Sequence, residues 1–96
     1  MKIVVSDKAK SDLLRAYVYL APRNLAAADA LIEQIDRRFG QLLRFPFIGR
    51  PRPSLAPGLR SLVVGNHLIF YGVEEDRITI VRVLDSRMDI DEEFRR

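Results

Sequence analysis

The chain contains no cysteine. Disulfides and cysteine-ligated zinc are therefore excluded, and a reducing compartment is the natural setting. No apolar run approaches the length of a membrane span. Met1–Ser6 is too short for a signal peptide, and Lys10 interrupts any extension of it. A cytoplasmic protein is the expectation. Low-complexity tracts are also missing, and 48% of the 96 residues are hydrophobic, a composition that folds. That length suits one domain, residues 1–96, with one modest core.

Negative charge is the most informative shortage. Between Asp36 and Glu74 there is no acidic residue, yet Arg37, Arg38, Arg44, Arg50, Arg52 and Arg60 all fall in that interval. The net charge is only +3, because the stretch from Glu74 onward is rich in acids. Such asymmetry marks either a surface for an acidic partner or a solubilising rim.

Lys2–Val5 is a short apolar run that predicts an edge or joining strand. Ser6 is placed to cap a helix, with Asp7 in its first turn. Ala9, Leu13, Ala16, Tyr17 and Leu20 form its apolar stripe, and Pro22 stops it. Asn24 caps a second helix whose stripe is Ala28, Leu31, Ile32, Ile35, Phe39 and Leu42; Pro46 ends it. The two predict an antiparallel helix hairpin. Phe45–Gly58, with its four prolines and two glycines, reads as a rigid irregular crossover carrying Arg50 and Arg52 past the sheet edge. Phe39, Phe45, Phe47 and Phe70 are assigned to the core.

Gly58–Arg87 predicts three strands, Leu59–Val64, Leu68–Val73 and Arg77–Leu84. They are joined at Gly65-Asn66 and at Glu74-Glu75-Asp76. Pairing Val64 with His67 sets Leu62 opposite Ile69 and Arg60 opposite Tyr71. Pairing Glu74 with Arg77 sets Tyr71 opposite Ile80 and Ile69 opposite Arg82. By alternation, Leu59, Ser61, Val63, Leu68, Phe70, Gly72, Thr79, Val81 and Val83 share one uncharged face, the one the helix hairpin is expected to cover. Arg60, His67, Tyr71 and Arg82 share the other, among Leu62, Ile69, Ile80 and Leu84. That apolar strip bounded by charge is the expected partner surface. The fold class is α+β, in the order β-α-α-β-β-β. Asp85–Phe94 reads as a polar tail with Met88, Ile90 and Phe94 as anchors.

The order and spacing of several pieces resemble the ParE branch of the RelE/ParE toxin superfamily. They are the Ser6-x-x-Ala9 helix start, Gly49-Arg50-Pro51-Arg52-Pro53-x-Leu55, Gly58-Leu59-Arg60, Ile69-Phe70-Tyr71, and Ile80-Val81-Arg82-Val83-Leu84 leading to Arg87 and Asp89. The resemblance covers nearly the whole chain. It implies a small basic toxin that is neutralised by an antitoxin, here ParD-like, in a toxin–antitoxin hetero-oligomer. ParE-type members act on DNA gyrase, whereas RelE-type members cut messenger RNA on the ribosome. Arg60 and Arg82 match the arginines that superfamily members place on this sheet face. RelE-type acid and base residues do not match, because the middle third has no lysine and Met88-Asp89-Ile90 has neither histidine nor tyrosine. The expectation is a gyrase inhibitor acting by protein contact, with no catalytic residue, metal or cofactor. The alternative is a ribosome-dependent endoribonuclease in which Arg60 and Arg82 hold phosphate and Tyr71 is the acid or base.

Arg60, Arg82, Arg87, Tyr71, His67, Arg50 and Arg52 are thus the candidate partner-binding residues. Most also have a structural reading. Arg82 is a mid-strand charge that needs a partner, for which Asp85, Asp89 and Asp91 are candidates. Tyr71 suits half-buried packing, His67 suits a turn flank, and Arg50 and Arg52 suit general surface charge.

Overall fold

The computed structural model describes residues 1–96. Strand β1, Lys2–Val5, leads into helix α1, Asp7–Leu20, and helix α2, Leu25–Arg44. A short strand β2, Arg50–Pro51, precedes the meander of β3, Arg60–Val64, β4, His67–Val73, and β5, Arg77–Asp85. Helix α3, Ile90–Arg95, closes the chain. The expected α+β order stands, with two additions. Arg50–Pro51 pairs with β3 at the sheet edge, where a proline costs no ladder bond. The tail forms a helix, because Asp89 caps it by accepting from the Glu92 N–H at 3.1 Å.

Both long helices begin where their caps predict. The Ser6 side chain accepts from the Ala9 N–H and the Asn24 side chain from the Ala27 N–H, each at 3.0 Å. The sheet runs β1-β5-β4-β3-β2, with β1 parallel to β5 and the other pairs antiparallel. The β3–β4 register is as expected, with Arg60 opposite Tyr71 and Leu62 opposite Ile69. Gly65 makes its turn possible with a φ of 55°, a value a β-carbon would resist.

The β4–β5 ladder departs from simple alternation. Val73 faces Ile78 and Tyr71 faces Ile80 as predicted, but Phe70 then faces Arg82 and Ile69 faces Val83. Val81 is the extra residue of a β-bulge. Its cause lies at the far side of β5, where the pairing with β1 ends at Val5 and Ile80. Beyond that point the start of α1 takes over. The Ser6 N–H donates to the Ile80 carbonyl at 3.0 Å, the Ser6 hydroxyl to the Val81 carbonyl at 2.8 Å, and the Val83 N–H to Asp12 at 3.0 Å.

The bulge reverses the expected facing of everything beyond it, and the helix hairpin covers the other face from the one predicted. The main core joins Ala9, Leu31, Ile35 and Leu42 of the helices to Val64, Ile69, Tyr71, Ile78, Ile80 and Val83 of the sheet. That sheet face holds the large β-branched side chains and so offers the hairpin more apolar area. The opposite face carries Ser61 and Gly72, and a smaller cover suffices. Leu59, Phe70 and Leu84 are closed over by Leu55, Ala56, Ile90 and Phe94, with the Phe70 and Phe94 rings edge to face at 4.9 Å. Both faces are therefore covered, the second only in part, with Val63 left 56% exposed.

The second helix stripe also needs correction. Ile32 is exposed, while Ala28, Leu31, Ile35 and Leu42 are buried and Phe39 is partly so. Phe70 is buried, but Phe45 and Phe47 are 54% and 64% exposed. Leu42 already closes the core, and the chain leaves α2 at Arg44 to run over the surface.

Candidate partner-binding site

The expected common surface of Arg60, Tyr71, His67 and Arg82 does not exist, because the bulge sends Arg82 to the face opposite Tyr71. Arg82 is buried. Its Nε and Nη2 donate to the two carboxylate oxygens of Asp12 at 2.8 and 2.9 Å, and its Nη1 and Nη2 reach the Glu93 carbonyl and carboxylate at 3.2 and 3.3 Å. The paired carboxylates, Asp12 foremost, push the guanidinium pKa further up against the opposing effect of burial. The structural reading of Arg82 was sound, but its partners are Asp12 and Glu93, not Asp85, Asp89 or Asp91. One signal was available. Asp12 stands between Ala9 and Ala16 on the helix face that carries the apolar stripe, and a charge there calls for a buried counterion.

Tyr71 is fully buried in the main core beneath the hairpin. Its hydroxyl accepts from the Gly49 N–H at 2.8 Å. Burial raises the phenol pKa, partly offset by that hydrogen bond and by Arg60. Gly49 is a glycine for a packing reason: a β-carbon would collide with the Tyr71 ring and lie 2.9 Å from the Ser61 carbonyl oxygen. Arg60 stays on the Tyr71 side, at the end of the sheet past α2. It donates to the carbonyls of Phe47 at 3.0 Å and Gly49 at 2.8 Å, and lies 5.1 Å from the Phe47 ring centre.

The other candidates scatter. Arg50 is exposed on β2. Arg52 turns to the opposite face, where it donates to the Ser61 hydroxyl at 3.1 Å and lies 5.4 Å from the Phe70 ring centre. His67 opens β4 opposite Asp85. Partial burial lowers its pKa, with Asp85 opposing and Arg87 assisting. Arg87 is exposed and grips Asp85 through Nε at 3.0 Å and Nη2 at 2.7 Å. That pairing pulls the Asp85 pKa down to about 2.

His67 and Arg87 do come together, on the rim of a groove of about 590 Å³ between the helix hairpin and the end of the sheet. Ala16, Leu20, Ala27 and Leu31 make its apolar floor; Arg15, Asp85, His67 and Arg87 stand around it. An apolar floor with charges of both signs at the rim fits an amphipathic peptide better than a reacting small molecule. Ala16, Leu20 and Leu31 of this floor were legible only as helix stripe, because the same side chains also pack against the core, and Ala27 lay outside the stripe.

Solved chains from toxin–antitoxin systems share this fold. A chain of the chromosomal ParDE toxin–antitoxin system from P. aeruginosa superposes with a TM-score of 0.74, covering 88% of this chain and 95% of that one at 24% identity, a likeness of fold. A chain of the RelBE2 toxin–antitoxin complex from Mycobacterium tuberculosis gives 0.60 at 30% identity, covering 88% of each. In sequence the chain is 30% identical to Toxin ParE3 of Caulobacter vibrioides over 93% of its length and 90% of that protein's. It is 37% identical to Toxin ParE1 of Mycobacterium tuberculosis over 67% of its length and 66% of that protein's. The family model for the ParE toxin of the type II toxin–antitoxin system parDE matches residues 3–90. The chain belongs to the ParE toxin family.

Proposed function

We propose that this ParE-family chain inhibits DNA gyrase by protein–protein contact, and that a ParD-like antitoxin neutralises it in a hetero-oligomer. The observation that carries this over RNA cleavage is the commitment of Arg82 and Tyr71 to the fold. The nuclease alternative sets Arg60 and Arg82 at the scissile phosphate and uses Tyr71 as acid or base. Instead Arg82 is saturated by Asp12 and Glu93, and the Tyr71 hydroxyl is enclosed against Gly49. The groove beside Arg87 supports a peptide partner. An antitoxin segment would lay apolar side chains on Leu20 and Leu31 and set carboxylates toward Arg15 and Arg87.

Two assays test this. Purified protein added to gyrase should stop supercoiling, and added to translating ribosomes should leave messenger RNA intact. RNA fragments with undisturbed supercoiling would replace this function with ribosome-dependent cleavage.

A further inference from the structure

Of the acid-free arginines, Arg44 and Arg60 flank two phenylalanines that the core leaves out after the C-terminal end of α2. Phe45 and Phe47 are more than half exposed there, with Ile48 and Leu43 exposed beside them. The patch is ordered from within. Arg60 ties down the carbonyls of Phe47 and Gly49, and the Ile48 N–H donates to the Phe45 carbonyl at 3.3 Å. The Arg44 guanidinium lies 5.7 Å from the Phe45 ring centre. Arg50 follows directly on the adjoining edge strand. No carboxylate comes within ion-pair distance of Arg44, Arg50 or Arg60.

Exposed aromatic rings among unpaired arginines are the side chains that dominate protein interfaces. Because the loop is already held, little ordering entropy remains to be lost on docking. Unpaired guanidinium groups call for carboxylates opposite. Phe45, Phe47 and Ile48 call for an apolar cleft among those carboxylates. Nucleic acid fits less well. Arg60 already occupies one face of Phe47, and the aliphatic Leu43 and Ile48 give a base nothing to stack on.

We infer that the loop-and-helix end formed by Arg44, Phe45, Phe47 and Arg50 is the surface that docks on the target protein, against an acidic patch with an apolar cleft. This rests on the contact-inhibition function proposed above and assigns that contact a place. None of these four residues lines the groove beside Arg87, so the two partners of a toxin have two separate surfaces.

The test uses Phe47→Ser alone and Arg44→Glu with Arg50→Glu, all at exposed positions, with the melting temperature checked for each. Gyrase supercoiling is titrated with each protein, and affinity for the antitoxin encoded beside it is measured in parallel. Each variant should need roughly tenfold or more protein for half-inhibition, with antitoxin affinity unchanged. Unaltered inhibition would overturn the inference while leaving the proposed function intact. Loss of antitoxin affinity in the same variants would give the patch to the antitoxin and also overturn it. So would wild-type binding to naked single-stranded or duplex DNA that these variants abolish. If wild-type protein does not inhibit gyrase at all, the proposed function fails first and this inference falls with it.

Discussion

Asp12 of the first helix holds Arg82 of the last strand through two parallel hydrogen bonds of 2.8 and 2.9 Å, between residues 70 positions apart. Glu93 completes the cluster from the C-terminal helix at 3.3 Å. One guanidinium thus joins the start of α1, the bulge of β5 and the helix that covers the second sheet face. A bidentate arginine suits that task because its planar fork satisfies several acceptors at once.

Arg82→Met should therefore be a folding mutation before it is a functional one. It leaves two carboxylates buried without their cation, a change that costs about 3–5 kcal/mol. Against a total stability of about 5–15 kcal/mol, a large drop in the urea midpoint is expected. Combining it with Asp12→Leu should recover part of the loss, since an apolar pair replaces a stranded charge. A lowered affinity for gyrase or antitoxin with an unchanged midpoint would show that Arg82 is a contact residue after all.

Tyr71→Phe removes the acceptor of the buried Gly49 N–H. The expected cost is about 1–3 kcal/mol in urea denaturation. Half-inhibition of supercoiling, measured well below the melting temperature, should not move. Gly49→Ala should destabilise to a similar degree, about 1–3 kcal/mol, because its β-carbon meets the Tyr71 ring and the Ser61 backbone.

Two pH effects follow from the groove rim. The His67 pKa is lowered in the fold, so the unfolded chain binds the proton more readily and stability rises with pH through that window. Stability should fall as pH drops below about 6.5 and level off below the folded value; His67→Gln should remove this step from a plot of melting temperature against pH. Asp85 acts in a lower window. Its pKa is depressed from 3.8 to about 2, so its contribution is full above that range and is lost as pH falls through it. With Arg87 exposed, that contribution should stay below about 1 kcal/mol and shrink with salt.

Ala27→Trp places a large ring on the groove floor. Antitoxin affinity should weaken by roughly tenfold or more, about 1.4 kcal/mol, while gyrase inhibition by the free toxin persists. Isothermal titration against the antitoxin, paired with the supercoiling assay, measures both. Unchanged antitoxin affinity would move the antitoxin off this groove.

Much of the fold was legible because it rests on local chemistry. Ser6 and Asn24 announce their helices, Gly65 its turn, and the alternation in Leu62–Val64 and Ile69–Val73 the pairing of β3 with β4. The candidate site was less legible. Its residues were grouped by carrying alternation through all three strands, and one inserted residue, Val81, breaks that inference from Arg82 onward. Phe45 and Phe47 were placed in the core on side-chain type alone. Hydrophobicity reports a preference for burial, not whether space remains, and Leu42 had closed the core before the chain reached them.

What the sequence determined by itself was the set of elements, their order, the acid-free arginine interval and the likeness to ParE toxins, since each depends on neighbours in the chain. Only the tertiary structure decided which sheet face the hairpin covers, that Arg82 is sealed and Arg44 free, and that His67 and Arg87 share a rim. For Arg82 the physical reason is the bulge. It forms where β1 stops and Ser6 and Asp12 take over the hydrogen bonds of β5, a junction of residues some 70 positions apart that no local pattern records.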